Sequence, residues 1–208
     1  EHGTLQSDPL SCAEAISAID GSSLNADKTY YILGVYRSTY TEWSSQYSNI
    51  TIYVSDSMTD SETQFEFYRM SAGSEPTFSE GDAVLVSVSG SNIIKYNNTT
   101  YEAQSPTYIV RTVSSIAVSK SPTKVAYNAG DSFDASGLEL TVNYNYGSPE
   151  VVKYNDSSAG FSFSPNANLA QGTTSVTITY GGKTTTQAIT VSAAKTLSSI
   201  AIGGSLTN

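Results

Sequence analysis

Hydrophobic and polar positions alternate with a period of two along most of the chain, which is the pattern of half-buried β-strands. In residues 50–55, for example, Ile50, Ile52 and Val54 share one face, which we expect to be buried. The intervening residues, including Tyr53, are expected to face outward. The other segments of the first 112 residues with strand signals are 30–37, 64–70, 83–89, 93–96 and 100–102.

Two of these segments carry further detail. In 64–70 the alternation places Phe67 and Arg69 on one face and Met70 on the other. Gly34 interrupts the first segment, and an isolated glycine inside a strand indicates a bulge or a sharp bend. The pattern therefore predicts an irregular sheet.

One stretch, residues 8–20, has the spacing of an amphipathic helix. Ser11 followed three residues later by Glu14 forms a capping box, and Gly21 supplies a stop. Cys12 lies on the apolar face, so we expect it to be a small buried hydrophobe rather than a nucleophile. The apolar face consists of Cys12, Ala15, Ile16 and Ile19.

The second half of the chain reads as short strands separated by turns. Leu138, Leu140 and Val142 alternate inward, and the pair Gly181-Gly182 suits a two-residue hairpin turn. About seven strands in so short a stretch predict a β-sandwich. The other predicted strands are 113–118, 151–154, 161–163, 175–180 and 184–191.

An internal repeat defines the domain organisation. The sequence R-T-V-S-S-I-A-V at the start of 111–124 returns as K-T-L-S-S-I-A-I at the start of 195–208. Self-similarity at a fixed offset indicates a repeated module. We therefore predict a first domain over 1–112, a whole module over 113–193 and the first strand of a further module over 194–208.

Composition agrees with an all-β chain. It has 15 Tyr and only 14% charged residues, so it favours pleated surfaces over helices. The net charge of −9 resides in the first 112 residues, which hold 14 acidic against 5 basic side chains. Such a domain is electrostatically disfavoured as a partner of nucleic acid.

The sequence also bears on the cellular location of the protein. The single cysteine excludes an internal disulfide, and no apolar run of about 18 residues predicts a membrane span. The sequence begins at Glu1 without Met, which is compatible with a removed export signal. We expect an extracellular or cell-surface location.

Candidate chemistry is sparse. His2, which we expect in a frayed terminus, and Cys12 cannot supply a zinc ligand set or a catalytic triad. Asp56, Asp60 and Glu62 lack the spacing and glycine of a calcium loop, so a solvated turn is preferred. We predict no catalytic residue, no metal and no cofactor, and hence no enzyme.

The second half carries a family resemblance. V-S-S-I-A-V at 113–118, Y-N-A-G-D-S-F-D-A-S-G-L at 127–138 and Y-G-G-K-T-T-T at 180–186 closely resemble the bacterial Ig-like repeats (group 3 type) of surface proteins. The resemblance implies a spacer or adhesive stalk with further Ig-like repeats in the same protein. It assigns turn geometry and packing, not catalysis, to Gly130, Asp131, Phe133, Asp134 and Gly137.

The first half carries a second resemblance, over residues 3–110. D-P-L-S-C-A-E-A-I, Y-Y-I-L-G-V-Y, I-Y-V-S-D, G-D-A-V-L-V and K-Y-N-N-T-T-Y-E occur in the order found in small OB-fold domains of secreted Bacteroidetes proteins. The resemblance implies a five-stranded Greek-key barrel with one short helix. Ligands of such barrels generally bind on the exposed face of strands 2 and 3 and their flanking loops.

That implied face suggests a set of candidate binding residues. Tyr53 turns outward, Tyr68 follows on the neighbouring strand and Tyr36 is placed beside them. Trp43 is expected in the loop between the first two strands, with Tyr40 at its mouth. Aromatic side chains of this kind stack on nucleobases or on sugar rings, and tyrosine also covers barrel surfaces without any ligand.

Two functions remain open from the sequence. The first is a non-catalytic binding and spacing region of a larger exported protein, whose barrel binds a carbohydrate or a surface protein. The alternative is a nucleic-acid-binding accessory region of a secreted nuclease. The acidic balance favours the first, and the aromatic face is compatible with both.

Overall fold

The computed structural model describes residues 1–61, 64–156 and 159–194. The chain divides into two compact units, and the second begins at Thr112. The described part is mostly β with one short α-helix: a closed five-stranded, OB-like barrel comes first and an Ig-like β-sandwich follows. The predicted fold class is confirmed.

The helix of the first unit forms where the capping box predicts. Helix α1 spans Cys12–Asp20; the Glu14 amide donates to the Ser11 hydroxyl, and the Ser11 amide donates to the Glu14 carboxylate. Asp56 supplies a second cap from outside the helix, because its carboxylate accepts from the Cys12 and Ala13 amides at 2.6 and 3.1 Å. Cys12 is fully buried, as predicted, and burial raises the pKa of its thiol.

The strands of the first unit form one continuous sheet that closes on itself. The sheet runs β2-β1-β4-β7-β3-β6-β5, and β2 also pairs with β3. The β2–β3 pair closes a barrel of five strands, β2, β1, β4, β7 and β3, and β6 and β5 continue the sheet from β3. Strand β3 runs parallel to β6 and β7, and the other pairs are antiparallel. The strands are β1 Thr29–Ser44, β2 Asn49–Ser55, β3 Phe65–Ser71, β4 Ala83–Ser89, β5 Ile93–Tyr96, β6 Thr100–Gln104 and β7 Thr107–Ile109.

Strand β1 is twice as long as the alternation predicted. Its first half pairs with β4 and its second half with β2, and Val35 belongs to both ladders. Gly34 lies at this change of partner, where an added Cβ would come within 2.8 Å of the Val54 Cβ. The glycine predicted to mark a bulge or bend thus lies at a change of partner strand. The second half of β1 escaped prediction because its pairing with β2 is repeatedly shifted by bulges, which begin between Tyr36 and Ser38.

Strand β3 contains a bulge that overturns the predicted alternation. Arg69 has φ +49°, and the β2–β3 register shifts at this point. As a result Met70 enters the core, where the sequence had placed it on the outer face. Thr51, also expected outside, is buried and accepts a hydrogen bond from the Arg69 amide at 3.0 Å. Ser55 is buried as well.

The last strands of the barrel come from the two predicted segments 93–96 and 100–102 and from an unpredicted extension. Asn97 and Asn98 both have positive φ and turn β5 into β6. After β6 the chain kinks at Ser105-Pro106 and continues as β7, which pairs with β4. Together β6 and β7 line one edge of β3. The kink leaves β7 only three residues long, too short to be recognised by its alternation.

The N-terminus is hydrogen-bonded rather than frayed. The Tyr31 amide donates to the Gly3 carbonyl, and the Gly3 amide donates to the Asp8 carbonyl. His2 pairs with Asp8 at 2.9 Å and with Glu14 at 3.2 Å. These hydrogen bonds to Asp8 and Glu14 raise the pKa of His2.

The second unit is a sandwich of two three-stranded sheets, β11-β10-β8 and β12-β13-β14, with a parallel pair β15-β9. Leu138, Leu140 and Val142 are fully buried, as predicted, and pack with Ile178 from the other sheet. The strands are β8 Val113–Lys120, β9 Ala126–Asn128, β10 Glu139–Tyr144, β11 Glu150–Lys153, β12 Ser162–Ser164, β13 Ser175–Tyr180, β14 Lys183–Ala188 and β15 Thr190–Ser192.

Two details of this unit bear on the predictions. The single strand predicted over 184–191 is divided into β14 and β15, because Ile189 packs into a core cluster and β15 leaves to pair with β9. The turn at Gly181-Gly182 has positive φ at both glycines, as predicted. The predicted further module, residues 194–208, lies outside the described residues except for its first position.

Candidate functional site: a tyrosine-lined groove

The outer face of β2, β3 and β6 brings polar and aromatic side chains into rows. Tyr53 is the register partner of Glu66, and Glu66 is the register partner of Glu102. Paired residues on neighbouring strands project from the same face of a sheet and lie about 5 Å apart. The two carboxylates are therefore neighbours, and Tyr53 flanks them.

The next row adds a tyrosine and an amide. Tyr68 pairs with Gln104, two positions along the same strands. The Gln104 side-chain amide donates to the Glu102 carboxylate at 2.7 Å, which orients that carboxylate. Between these outer residues, Phe65, Phe67 and Ala103 point into the barrel core. The period of two thus fixes which side chains reach the outside.

A groove of about 320 Å³ runs over these rows, and we refer to it as the tyrosine groove. Its two most exposed walls are Tyr40 from β1 and Tyr96 from β5, which are 64% and 51% exposed. The Tyr40 and Tyr53 rings lie 5.4 Å apart at a tilt of 53°. The groove is lined by Tyr40, Tyr53, Glu66, Tyr68, Tyr96, Thr100, Glu102 and Gln104.

The groove continues into two neighbouring recesses, which makes the depression elongated. One recess, of about 300 Å³, shares Tyr53, Glu66 and Thr100 with the groove. The other, of about 560 Å³, shares Tyr68 and reaches Tyr47. An extended depression of this kind suits a chain-like ligand better than a small compact one.

The electrostatic character of the tyrosine groove is acidic. Glu66 and Glu102 are 6% and 4% exposed. Burial, followed by repulsion from Glu102, raises the pKa of Glu66. Burial likewise raises the pKa of Tyr53, with a further contribution from Glu66. Two buried carboxylates side by side make their own ionisation unfavourable unless a ligand compensates it.

The structure places three of the five predicted binding residues in the groove: Tyr40, Tyr53 and Tyr68. Tyr36 lies elsewhere, stacked on Phe78 with ring centroids 5.4 Å apart. Trp43 packs against the barrel core and belongs to β1, not to the following loop. Whether the three groove residues bind a ligand stays a prediction.

Sequence reasoning missed the polar members of the groove, Glu66, Glu102 and Gln104, and the wall residue Tyr96. Glu66 and Glu102 did show a signal, since each occupies an outward position in a strand whose neighbours are hydrophobic. Their proximity depends on the parallel pairing of β3 with β6. That pairing joins strands distant in sequence, so alternation alone does not reveal it.

Arg37 and the described acids of the predicted solvated turn have partners outside the groove. Arg37 donates to the Ser57 and Asp60 carbonyls at 3.2 and 3.0 Å and so supports the turn after β2. Asp60 accepts from the Ser57 amide at 2.9 Å. Glu62, the third residue of the predicted solvated turn, lies outside the described residues. Among the described residues, no cluster of three His, Cys, Asp or Glu side chains could hold a metal ion.

Comparison with known families adds one match. Residues 120–191 match the bacterial Ig-like domain (group 3) family. The match confirms the Ig-like resemblance of the second unit, indicates a surface-protein stalk region and is consistent with an extracellular location. Domains of this type are typically non-catalytic. The resemblance of the first unit to OB-fold domains of secreted Bacteroidetes proteins stays a prediction.

A search of curated proteins found no match to the chain. Within the described residues, no helix has the length and apolar character needed to cross a bilayer.

Proposed function

We propose that the barrel is a non-catalytic carbohydrate-binding module and that the Ig-like unit is a spacer within a larger exported surface protein. The observation that carries the proposal is the tyrosine groove, in which aromatic walls and hydrogen-bond acceptors converge. A pyranose ring has an apolar C–H face and a rim of hydroxyl donors. Tyrosine rings pack on the C–H face, and carboxylates accept strong hydrogen bonds from the hydroxyl groups.

The shape of the site supports a polysaccharide. The groove and its two neighbouring recesses follow one another along the outer face of the barrel and offer tyrosines along their length. Tyr40 and Tyr96 are exposed enough to stack on a ligand without unfolding of the strands that carry them. Exposed aromatic rings above a polar floor are typical of recognition sites rather than of a core.

The nucleic-acid alternative receives less support. Glu66 and Glu102 in the groove would repel phosphates, whose binding depends mainly on Lys and Arg. Arg69, whose guanidinium carbon lies 5.1 Å from the centroid of the Tyr68 ring, lines the neighbouring recess and not the groove itself. Single-stranded DNA is therefore included in the test as the rival ligand.

The test is calorimetric titration of the whole chain with a panel of soluble polysaccharides and with single-stranded DNA at low salt. We expect saturable binding to at least one polysaccharide, weakened about fivefold to tenfold by Tyr40→Ala or Tyr96→Ala through lost ring contact. Leu5→Ala is the matched control, since Leu5 is 55% exposed and lies outside the groove. Binding of DNA alone, or equal binding by all three variants, would refute the proposal.

A further inference from the structure

The feature that sets the ligand class is the carboxylate pair on the floor of the tyrosine groove. Glu66 and Glu102 are partners in the parallel β3–β6 ladder, so their carboxylates share one face and one low-dielectric environment. Two like charges this close are costly without compensation. A neutral sugar would leave the repulsion between the two carboxylates uncompensated, because its hydroxyls donate hydrogen bonds but carry no charge.

No cation in the described part of the chain compensates this pair. Glu102 receives a hydrogen bond from the uncharged Gln104 amide. Lys95, on the neighbouring strand β5, instead donates to the Tyr101 hydroxyl at 2.6 Å and lies 3.8 Å from Asp20. Among the described residues the Glu66 carboxylate has neither a hydrogen bond nor an ion pair, and burial together with Glu102 raises its pKa.

The Glu66 oxygens therefore open into the groove. Every fully enclosed side-chain nitrogen or oxygen among the described residues has a hydrogen-bond partner. Glu66 has none, so its carboxylate is not fully enclosed, and it lines both the groove and the adjoining recess. Glu66 is only 6% exposed, yet its carboxylate faces a cavity without a partner, so it is available to bind a ligand group.

The aromatic walls favour the same kind of ligand group. Tyr40, Tyr53, Tyr68 and Tyr96 line the groove together with the carboxylates, and the Tyr68 ring already has Arg69 5.1 Å from its centroid. A cation attracted to a carboxylate is attracted also by the faces of surrounding aromatic rings. A protonated amine placed here would gain both interactions and would remove the repulsion between Glu66 and Glu102.

We infer that the sugar bound in the tyrosine groove carries a protonated amine, as in a polymer of hexosamine units without N-acetyl groups. This inference rests on the carbohydrate-binding function proposed above. Acetylation of the amine removes the charge and adds bulk at the same atom. The groove should therefore distinguish free from acetylated amino sugars.

The experiment compares the affinity of the whole chain for three β-1,4-linked oligosaccharides of equal length: glucosamine, N-acetylglucosamine and glucose. Titrations near neutral pH contain a chelator, so that no divalent cation can bridge the carboxylates. We expect at least a tenfold preference for the glucosamine oligosaccharide. The preference should fall as salt is raised, because it depends on charge.

Matched variants test whether the carboxylates cause the preference. Glu66→Gln and Glu102→Gln keep the shape of the side chain but remove its charge. In each variant the ratio of the affinity for the glucosamine oligosaccharide to that for the other two should approach one, while binding of the glucose oligosaccharide persists. Glu75→Gln, at an exposed loop position, should leave it unchanged. If one of the two variants fails to fold, the other carries the test, because salt dependence alone does not distinguish this pair from the other acids of a chain with net charge −9.

The outcomes separate the inference from the proposed function. Equal affinity for all three oligosaccharides, or a preference that survives both substitutions together, overturns the inference and leaves the carbohydrate function standing. Binding of a lysine oligopeptide without binding of any oligosaccharide overturns both. Tighter binding of the acetylated form overturns the inference alone.

Discussion

The folded state disfavours the ionised form of Glu66. Its ordinary pKa of 4.5 is raised by burial and by Glu102, so the folded chain holds this proton more tightly than the unfolded chain. At low pH both states are protonated and the residue imposes no electrostatic cost. As the pH rises through the interval between 4.5 and the raised pKa, the unfolded chain loses its proton first and stability falls.

We therefore expect Glu66→Gln to be more stable than the wild type near neutral pH, with a difference that shrinks as the pH falls below that interval. Urea unfolding at a series of pH values measures the difference directly. Glu75→Gln removes the same kind of charge from an exposed loop and serves as the control variant. A difference between Glu66→Gln and the wild type that is the same at every pH would contradict the assignment.

Single residues also mark where sequence reasoning succeeds and fails. Burial of Cys12 follows from its place on the apolar face of α1, so it was predictable. Arg69 and Met70 were not, because a positive φ at a non-glycine residue shifts every later position by one face. Asp56 was assigned to a solvated turn, yet it caps α1, a contact between residues 44 positions apart.

At the level of elements, Gly34 allows β1 to serve two ladders. Gly34 lies where the strand leaves β4 for β2, and there its backbone approaches Val54 and the Cys12 sulfur. An alanine Cβ would lie 2.8 Å from the Val54 Cβ and 3.1 Å from the Cys12 Sγ. Both neighbours are enclosed in the core and have little room to move.

We expect Gly34→Ala to lower the free energy of unfolding by about 1–3 kcal/mol, the usual cost of overpacking. Gly73→Ala is the matched control, since nothing lies within 4 Å of its added Cβ. Chemical denaturation followed by fluorescence of the single tryptophan, Trp43, measures both variants. Equal midpoints for the two would show that the close approach at Gly34 is not a constraint.

Elements with local signals were predicted, and those that depend on distant partners were not. The capping box defines α1, and the glycine pair defines the β13–β14 turn, within a few residues of sequence. Strand β7 and the parallel β3–β6 pair become visible only once the barrel closes. The candidate site was predicted only in part for the same reason. Tyr53 and Tyr68 lie in strands whose alternation is visible, whereas Glu66 and Glu102 meet through that parallel pair.

At the scale of the whole molecule, each unit has its own hydrophobic core. Phe65, Phe67 and Met70 are buried in the first, and Leu138, Leu140 and Ile178 in the second. Gly181 in the second unit, like Gly34 in the first, lies where an added Cβ would clash with a neighbouring side chain. It has φ +56°, and an added Cβ would come within 2.4 Å of the Val113 Cγ2.

Because the two cores are separate, we expect each substitution to destabilise its own unit. Gly34→Ala should lower the denaturation midpoint reported by Trp43, which lies in the barrel. Gly181→Ala should leave that midpoint unchanged and lower a second transition seen by calorimetry. A mutation in one unit that moved both transitions equally would show that the two cores unfold together.

The neighbouring glycine makes the test specific to packing. Gly182 has φ +75°, but an added Cβ there would meet nothing within 4 Å. Gly182→Ala therefore reports the conformational cost of a positive φ alone, whereas Gly181→Ala adds the clash with Val113. If Gly181→Ala shifts the second transition further than Gly182→Ala does, the excess measures how tightly the β13–β14 turn packs on β8. Equal shifts would show that only backbone conformation matters at this turn.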